Sequence, residues 1–259
     1  MATLDQDFEN SNFIPDGASY PARWQQAAAA FRATQPPQNI GGADLFLPDG
    51  APKGLMVFVH GGYWIESGKS DWSHLAAGAI AKGWAVGVPS YVLAPDARIP
   101  DMVSMVASGV AALAGAVAGP MTLTGHSAGG HLAVRQICAD SNLPAAVLDR
   151  IAACAPISGL FDLLPLMQTQ MNDLLQLDTD VARAESPIHH RPIRPVPTEI
   201  WVGADERPEF LRQSMSLADA WRDVALPPKL IEVPGRHHFD IVNALTDPDH
   251  PLVAFLTPG

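Results

Sequence analysis

The sequence has few charged residues and few cysteines. Charged residues make up 17% of its 259 residues, compared with roughly 25% in typical soluble domains. A chain with so few charges and 47% hydrophobic residues is not intrinsically disordered, and it is long enough to bury a sizeable core. At about 150 residues per domain, the length fits one large α/β domain or two small ones.

Cysteine is represented only by Cys138 and Cys154. Two cysteines are too few for a disulfide framework and lack metal-ligand spacing, so we interpret them as small buried hydrophobic residues. The sequence has no H-E-x-x-H motif, and His126 and His131 are five residues apart, which does not place them on one helix face. Phosphate-binding and dinucleotide-binding glycine motifs are absent as well. We therefore expect no metal and no other cofactor.

Basic residues are also scarce: 16 Lys and Arg stand against 27 Asp and Glu, a net charge of −11. Such a surface repels nucleic-acid phosphates and anionic membranes. Residues 1–10 have no apolar run, unlike a signal peptide, and the longest nearly apolar stretch, 106–121, is shorter than the roughly 18 residues of a membrane span. We expect a cytoplasmic protein with a small-molecule substrate and no nucleic-acid or membrane partner. The sequence leaves the oligomeric state open, and a homo-oligomer is compatible with it.

From residue 53 onward, short apolar runs alternate with longer helical patterns. Six runs have the length and composition of buried parallel strands: 54–59, 84–88, 121–124, 151–157, 199–202 and 229–233. Helical patterns follow the first three, at 73–82, 100–118 and 129–139. This alternation predicts right-handed crossovers and a mostly parallel central sheet flanked by helices, which is an α/β fold.

One interval, 158–198, interrupts the alternation between the fourth and fifth predicted strands. It contains an amphipathic piece followed by a coil rich in Pro, His and Arg. A segment this long in a compact domain is typical of a lid or a binding insertion. A peripheral helix covering one sheet edge fits the same pattern. We expect one domain over 1–259, in which 158–198 and the N-terminal segment 1–40 shape the substrate pocket.

The most informative motif, GHSAG at 125–129, fits G-x-S-x-G. It lies between a predicted strand and a predicted helix, as a nucleophile elbow requires. The serine turn is strained, and a side chain at Gly125 or Gly129 would collide with the neighbouring strand or helix. A serine at a helix N-terminus also has backbone N–H groups aimed at a developing anion. We predict that Ser127 is a catalytic nucleophile.

A second motif, HGGYW at 60–64, directly follows the first predicted strand. Tetrahedral intermediates of acyl transfer need an oxyanion hole, and small residues let main-chain N–H groups approach the oxygen. We predict that Gly61 and Gly62 supply such groups. The residue after the nucleophile, here Ala128, supplies another in this kind of site. The alternative is a plain Gly-Gly turn beside a buried aromatic pair.

A nucleophilic serine needs a base, and the base needs an acid to orient it. In hydrolases with a nucleophile elbow the chain order is serine, acid, histidine. Asp205 and Glu206 follow the fifth predicted strand, and His237 and His238 follow the sixth. From the residues alone, either member of each pair fits.

Five segments together resemble the α/β-hydrolase kynurenine formamidases, or arylformamidases. They are HGGYW at 60–64, PSYVLAPDARIPDMV at 89–103, GHSAGGHLA at 125–133, PEFLRQS at 208–214 and HHFDIVNAL at 237–245. The similarity is colinear from about residue 53 to the C-terminus, with a weaker trace at 20–24. It implies the α/β-hydrolase fold with a cap-like insertion.

The resemblance also implies one member of each ambiguous pair. The family's acid lies two residues before the proline of PEF, which implies Glu206 rather than Asp205. This is a departure, because the best-known members carry Asp there, although triads of this fold use either acid. The family's histidine immediately precedes Phe-(Asp/Glu)-Ile-Val, which implies His238. His237 would then only tune the pocket.

The function implied by the resemblance is that of a serine hydrolase. It would cleave the formamide of N-formylkynurenine, or of a related aryl formamide, through an acyl-serine intermediate. A carboxylesterase acting on small acyl or aryl esters uses the same residues and remains the alternative. A non-catalytic binding module is disfavoured by the complete set of serine, acid and histidine. Tyr63 and Trp64 would offer apolar walls for an aryl leaving group.

Overall fold

The structure is a computed structural model that describes residues 4–259. Residues 1–3 lie outside the described residues. They belong to the segment 1–40 that is predicted to shape the pocket, and to the stretch 1–10 interpreted as unlike a signal peptide. Eight strands form one sheet: β1 (Gln38–Ile40), β2 (Ala43–Phe46), β3 (Leu55–Val59), β4 (Ala85–Val88), β5 (Met121–His126), β6 (Ile151–Ile157), β7 (Glu199–Gly203) and β8 (Lys229–Val233). Their spatial order is β1-β2-β4-β3-β5-β6-β7-β8. The β1–β2 and β2–β4 pairs are antiparallel, and all other neighbours are parallel.

The α-helices are α1 (Leu4–Phe8), α2 (Tyr20–Thr34), α3 (Ala77–Ala81), α4 (Ile99–Ala116), α5 (Ala128–Arg135), α6 (Ala145–Leu148), α7 (Asn172–Leu175), α8 (Thr179–Ala184), α9 (Pro208–Ala220) and α10 (Pro251–Leu256). Short 3₁₀ segments occur at Ser11–Phe13, Gly17–Ser19, Lys69–Ala76, Leu164–Gln168, Pro187–His189 and Ile241–Thr246. The predicted α/β-hydrolase architecture, a mostly parallel sheet flanked by helices, is therefore confirmed.

The six predicted strands correspond to β3 to β8. The predicted helix 73–82 differs in detail, because it begins earlier as the 3₁₀ segment Lys69–Ala76 and continues as α3. Strands β1 and β2 were not predicted. They are three and four residues long, and β2 includes Asp44, so neither carries a clear apolar pattern.

The sheet is covered on both faces, as the apolar composition of its strands requires. Along β3, Leu55, Val57 and Val59 belong to the core on the side of α4, α5 and α9. The alternate residues Met56 and Phe58 belong to a second core, with the 3₁₀ segment Lys69–Ala76 and α10. Because successive side chains of a strand point to opposite faces, the five residues of β3 pack against the layers on both faces of the sheet.

Helix α4 is the longest helix of the described chain. With 18 residues and a mean hydropathy of 1.5, it is long and apolar enough to cross a membrane by length and composition alone. It extends further toward the N-terminus than the apolar stretch 106–121 considered above. One face packs in the core of the fold, through Met102, Val106, Val110 and Leu113. The helix therefore has the burial pattern of a core helix.

The segment 158–198 is a series of short elements, α7, α8 and the 3₁₀ turns around them. Several of its side chains are fully buried in the core, among them Phe161, Leu163, Leu166 and Ala182. Glu185 in this segment forms an ion pair with Arg135 of α5, with Oε2 2.9 Å from Nε. The segment is thus packed against the helix that follows Ser127.

Candidate active site

Ser127 occupies a strained turn between β5 and α5. Its backbone has φ 56° and ψ −121°, a conformation that a residue with a side chain rarely adopts. A Cβ atom at Gly125 would overlap the Gly129 carbonyl oxygen, and one at Gly129 would overlap the Val59 carbonyl oxygen. The predicted steric reason for both glycines is confirmed. The Ser127 N–H donates to the Ile157 carbonyl at 2.9 Å, which ties the turn to β6.

Glu206 and His238 form a buried pair in the loops that follow β7 and β8. His238 Nδ1 lies 2.7 Å from Glu206 Oε2, and the two residues are 2% and 7% exposed. A carboxylate at this position accepts the Nδ1–H and leaves Nε2 as the basic nitrogen. Phe210 of α9 packs on the imidazole, with ring centroids 4.2 Å apart. The pair is thus held in one orientation.

The second oxygen of Glu206 has partners of its own. Glu206 Oε1 accepts hydrogen bonds from the Gly203 N–H at 2.8 Å and from the Ser158 hydroxyl. Ser158 is fully buried, has a positive φ of 51°, and follows β6 directly. The sequence analysis did not single out Ser158. Its position directly after a predicted strand, where the other site residues also lie, is the sequence feature that could have indicated a place in the site.

The structure separates the two members of each ambiguous pair. Asp205 is exposed, and its backbone N–H donates to the Arg236 carbonyl at 3.0 Å. His237 lies beside the pair, with Nε2 3.2 Å from the Tyr20 hydroxyl and Nδ1 accepting from the Phe239 N–H at 3.2 Å. It therefore joins α2 to the loop after β8.

Ser127 and His238 line one cavity of about 720 Å³. Within residues 4–259 no hydrogen bond joins the Ser127 hydroxyl to His238. Such bonds are often long in a ligand-free site and tighten when substrate binds. Residues 4–25 contribute nine lining residues: Asp5, Phe8, Glu9, Asn10, Ser11, Ala18, Pro21, Trp24 and Gln25. The segment 158–198 contributes Gln170 and Met171.

The three residues predicted to form the oxyanion hole lie around the elbow. A Cβ at Gly61 would overlap the His126 carbonyl oxygen, and Gly62 has φ 107°, which favours glycine. Ala128 is the first residue of α5 and is fully buried. Among the hydrogen bonds of the described chain, none is donated by the N–H of Gly61, Gly62 or Ala128. Uncommitted N–H groups are what an oxyanion requires.

Tyr63 and Trp64 have different surroundings, and the expectation for Trp64 needs correction. Tyr63 lines the cavity, donates its hydroxyl hydrogen to the Phe8 carbonyl and accepts from Asn10 Nδ2 at 3.2 Å. Trp64 is fully buried, packs edge-on against His131 at 5.2 Å, and does not line the cavity. It supports the loop 60–64 from the core side. Its burial agrees with the alternative interpretation of the HGGYW motif, in which the aromatic residues are buried.

Two further histidines near the elbow are buried and neutral. His126 Nε2 lies 2.8 Å from the His238 carbonyl oxygen, and burial holds its pKa well below the ordinary value. His60 Nδ1 lies 2.9 Å from the Gly61 carbonyl oxygen, and its ring stacks on Tyr91 at 4.3 Å. Burial lowers the pKa of His60 to about 4. Each ring hydrogen-bonds the backbone carbonyl of a predicted site residue, His238 for one and Gly61 for the other.

Cys138 and Cys154 are both buried and free, as predicted. Burial raises the pKa of the Cys138 thiol to about 12, so it stays protonated and unreactive at neutral pH. Across residues 4–259, no group of three or more His, Cys, Asp or Glu side chains is arranged to hold a metal ion. The arrangement at the cavity combines a hydroxyl, an imidazole held by a carboxylate, and free N–H groups, which are the components that acyl transfer needs.

Comparisons with known proteins agree with this architecture. The model of a family described as having the alpha/beta hydrolase fold matches residues 56–239. Kynurenine formamidase from Salmo salar is 31% identical over 211 residues, which cover 78% of this chain and 71% of that protein. The enzyme of the same name from Danio rerio is 29% identical over 223 residues, covering 82% and 75%.

Among solved structures, a candidate thioesterase from Silicibacter sp. tm1040 is 42% identical, with a TM-score of 0.93 over 98% of both chains. The family match spans well over half of the chain, and the Salmo salar relative shares most of its length. The chain therefore belongs to the α/β-hydrolase family that includes the kynurenine formamidases, and it is a hydrolase.

Proposed function

We propose that the protein hydrolyses the formamide of N-formylkynurenine or a related aryl formamide, with Ser127, His238 and Glu206 as the catalytic residues. The observation that carries the proposal is the 2.7 Å contact of His238 Nδ1 with Glu206, on a cavity that Ser127 also lines. The choice of formamide is supported by the curated relatives, which are kynurenine formamidases.

The proposed reaction begins with attack of Ser127 Oγ on the formyl carbon while His238 Nε2 takes the hydroxyl proton. Glu206 stabilises the imidazolium that forms. The carbonyl oxygen becomes an oxyanion and accepts hydrogen bonds from the N–H groups of Gly61, Gly62 and Ala128. Collapse of the intermediate breaks the C–N bond, and His238 transfers its proton to the departing aniline nitrogen.

Deacylation repeats these steps with water. His238 takes a proton from water as its oxygen attacks the formyl ester of Ser127, and it returns that proton to Ser127 Oγ when formate leaves. The aryl leaving group would pack against aromatic rings of the cavity, among which Tyr63, Trp72 and Phe239 are lining residues.

A second candidate is hydrolysis of small esters or thioesters by the same residues. It is favoured by the Silicibacter chain, a candidate thioesterase that is 42% identical over 98% of both chains. Esters and thioesters have better leaving groups than formamides, so a site able to cleave an aryl formamide has the catalytic groups for them as well.

The test compares kcat/KM on N-formylkynurenine with kcat/KM on p-nitrophenyl acetate and on an acetyl thioester. The Ser127→Ala variant is the blank in each assay, and its circular dichroism spectrum checks that it is folded. We expect turnover of the formamide by the wild type and none by the variant. Brisk ester cleavage without formamide turnover would favour the second candidate, and formamide turnover by Ser127→Ala would contradict the mechanism.

A further inference from the structure

Four carboxylates line the cavity that contains Ser127. They are Asp5 and Glu9 from the N-terminal segment, Glu66 from the loop after β3, and Asp71 from the 3₁₀ segment that follows. Among the lining residues of the described chain there is no lysine and no arginine. Among residues 4–259, the wall of the cavity therefore carries up to four negative charges and no permanent positive one.

These four charges are not neutralised by other parts of the described chain, since none of them is in an ion pair there. Asp5 accepts from the Gln170 N–H at 2.7 Å, Glu9 from the Asn12 N–H at 3.2 Å, and Asp71 from the Gly68 N–H at 3.0 Å. These are neutral donors, and the Glu66 side chain is exposed and has no hydrogen bond to a described residue. Clefts lined by charges of one sign concentrate ligands of the opposite sign.

A neighbouring tyrosine experiences the same negative field. The pKa of Tyr63 is raised well above its ordinary value, first by burial and then by Glu9, Glu206 and Glu66, which oppose formation of a phenolate. The hydroxyl therefore remains protonated and neutral at physiological pH, so Tyr63 adds no charge to the cavity wall.

His126, beside the nucleophile elbow, is a neutral residue of the cavity wall. His126 lines the cavity and is 2% exposed. Its Nε2 donates to the His238 carbonyl oxygen at 2.8 Å, so the neutral ring has its lone pair on Nδ1. Within residues 4–259 the Nδ1 atom has no hydrogen-bond partner.

Aromatic rings complete this environment. Trp24 and Trp72 have ring centroids 4.6 Å apart, and Phe239 lies 5.3 Å from Trp24. All three line the cavity. The faces of aromatic rings attract ammonium groups, and they do so more strongly where water is partly excluded.

We propose that this cavity selects substrates whose leaving group carries a protonated amine, and that it disfavours leaving groups carrying a carboxylate. This inference rests on the proposed function, because it concerns the substrate of the same site. N-formylkynurenine carries an ammonium and a carboxylate on one carbon. Its ammonium matches the cavity, whereas the carboxylate meets no Lys or Arg among the described lining residues, so the amine without the carboxylate should be the better substrate.

The test uses three formanilides that differ only in the para substituent: aminomethyl, ethyl and carboxymethyl, which are cationic, neutral and anionic at neutral pH. We expect kcat/KM to decrease in that order at low ionic strength, with the cation favoured over the neutral compound by at least about tenfold. The preference should shrink at high salt, because ions screen the carboxylates.

The double variant Glu9→Gln/Glu66→Gln removes two charges and keeps the size of both side chains. The ratio of kcat/KM for the cation to that for the neutral compound should fall at least about threefold in this variant. Glu232→Gln is the matched control, because Glu232 is exposed on β8 and does not line the cavity. It should leave the ratio unchanged.

Equal kcat/KM for the cationic and neutral formanilides, or a ratio that the double variant does not alter, would overturn the inference. Failure of the proposed function gives a different result, in which no formanilide is cleaved but the acetates of the three corresponding phenols are. The order of kcat/KM among those acetates then tests the charge preference. Calorimetric binding of the para-aminomethyl and para-ethyl anilines to Ser127→Ala gives the same comparison without turnover.

Discussion

At the scale of the residue, Glu206 is the side chain that holds the imidazole of His238, with Oε2 2.7 Å from Nδ1. The pattern limited the acid to Asp205 or Glu206, and the resemblance to a family favoured the second. In the structure Glu206 is buried against His238, Ser158 and the Gly203 N–H, whereas Asp205 is exposed. Side chains in a loop follow no regular periodicity, so the sequence does not indicate which of them are buried. The burial of Glu206 is therefore visible only in the structure.

We predict that Glu206→Gln lowers kcat/KM by about three to four orders of magnitude, because the amide no longer fixes the imidazole tautomer or stabilises its charged form. Asp205→Asn is the matched control and should change kcat/KM less than about threefold, since its side chain is exposed. Steady-state kinetics on the best available substrate measure both. A larger loss for Asp205→Asn than for Glu206→Gln would contradict the assignment.

At the scale of the element, the parallel strands were predictable and the segments around the cavity were not. Strands β3 to β7 have apolar runs because the layers on both faces bury them, whereas the edge strand β8 is only partly buried. The N-terminal segment has no comparable pattern, since Asp5 and Glu9 line the cavity and Trp24 both lines it and packs against the second core. Sequence periodicity indicates burial against a regular surface, such as a sheet or a helix. It therefore gives little information about the residues that line the cavity.

The ion pair between α5 and the segment 158–198 gives a prediction at this scale. Arg135 is 4% exposed and contacts both Glu185 at 2.9 Å and Asp140 at 2.8 Å. Glu185→Ala leaves the buried guanidinium with Asp140 alone, so the free energy of unfolding should fall by about 2–3 kcal/mol. Urea denaturation measures this change.

The control for this prediction is Glu232→Ala, which removes an exposed glutamate and should change the free energy of unfolding by less than about 0.5 kcal/mol. Limited proteolysis should cut Glu185→Ala faster within 158–198 than it cuts the wild type. Equal stability of the Glu185→Ala and Glu232→Ala variants would contradict the structural importance of the pair.

At the scale of the whole molecule, the net charge of −11 first served only to exclude partners. Composition gives the number of charges and not their positions. The structure places four carboxylates around one cavity, where they bear on the choice of substrate. The same net charge also raises solubility. Only the positions of the charges in the structure distinguish this general effect from the effect of the cavity carboxylates on the choice of substrate.

Buried histidines make the stability of the whole fold depend on pH. Burial lowers the pKa of His60 and of His74 to about 4 and that of His131 to about 3, from 6.5. Below pH 6.5 the unfolded chain therefore binds more protons than the folded chain. The free energy of unfolding should decrease as the pH falls from about 6.5 to about 4, by about 3 kcal/mol from His60 alone.

Urea denaturation at a series of pH values measures this loss. Moderate salt is needed, because protonation of carboxylates also relieves repulsion among the 27 acidic residues, and salt screens that opposing effect. A free energy of unfolding that is constant between pH 6.5 and pH 4 would contradict the neutral, buried state of these histidines.

Ser127, on the strained turn before α5, is the proposed nucleophile of this hydrolase. A fluorophosphonate reagent forms a stable covalent adduct with an activated serine, and peptide mass spectrometry locates the adduct. We predict one adduct per chain, on Ser127, formed in parallel with the loss of hydrolytic activity and absent from Ser127→Ala. Complete inactivation with an adduct on another residue, or an adduct on Ser127 with activity retained, would contradict the account.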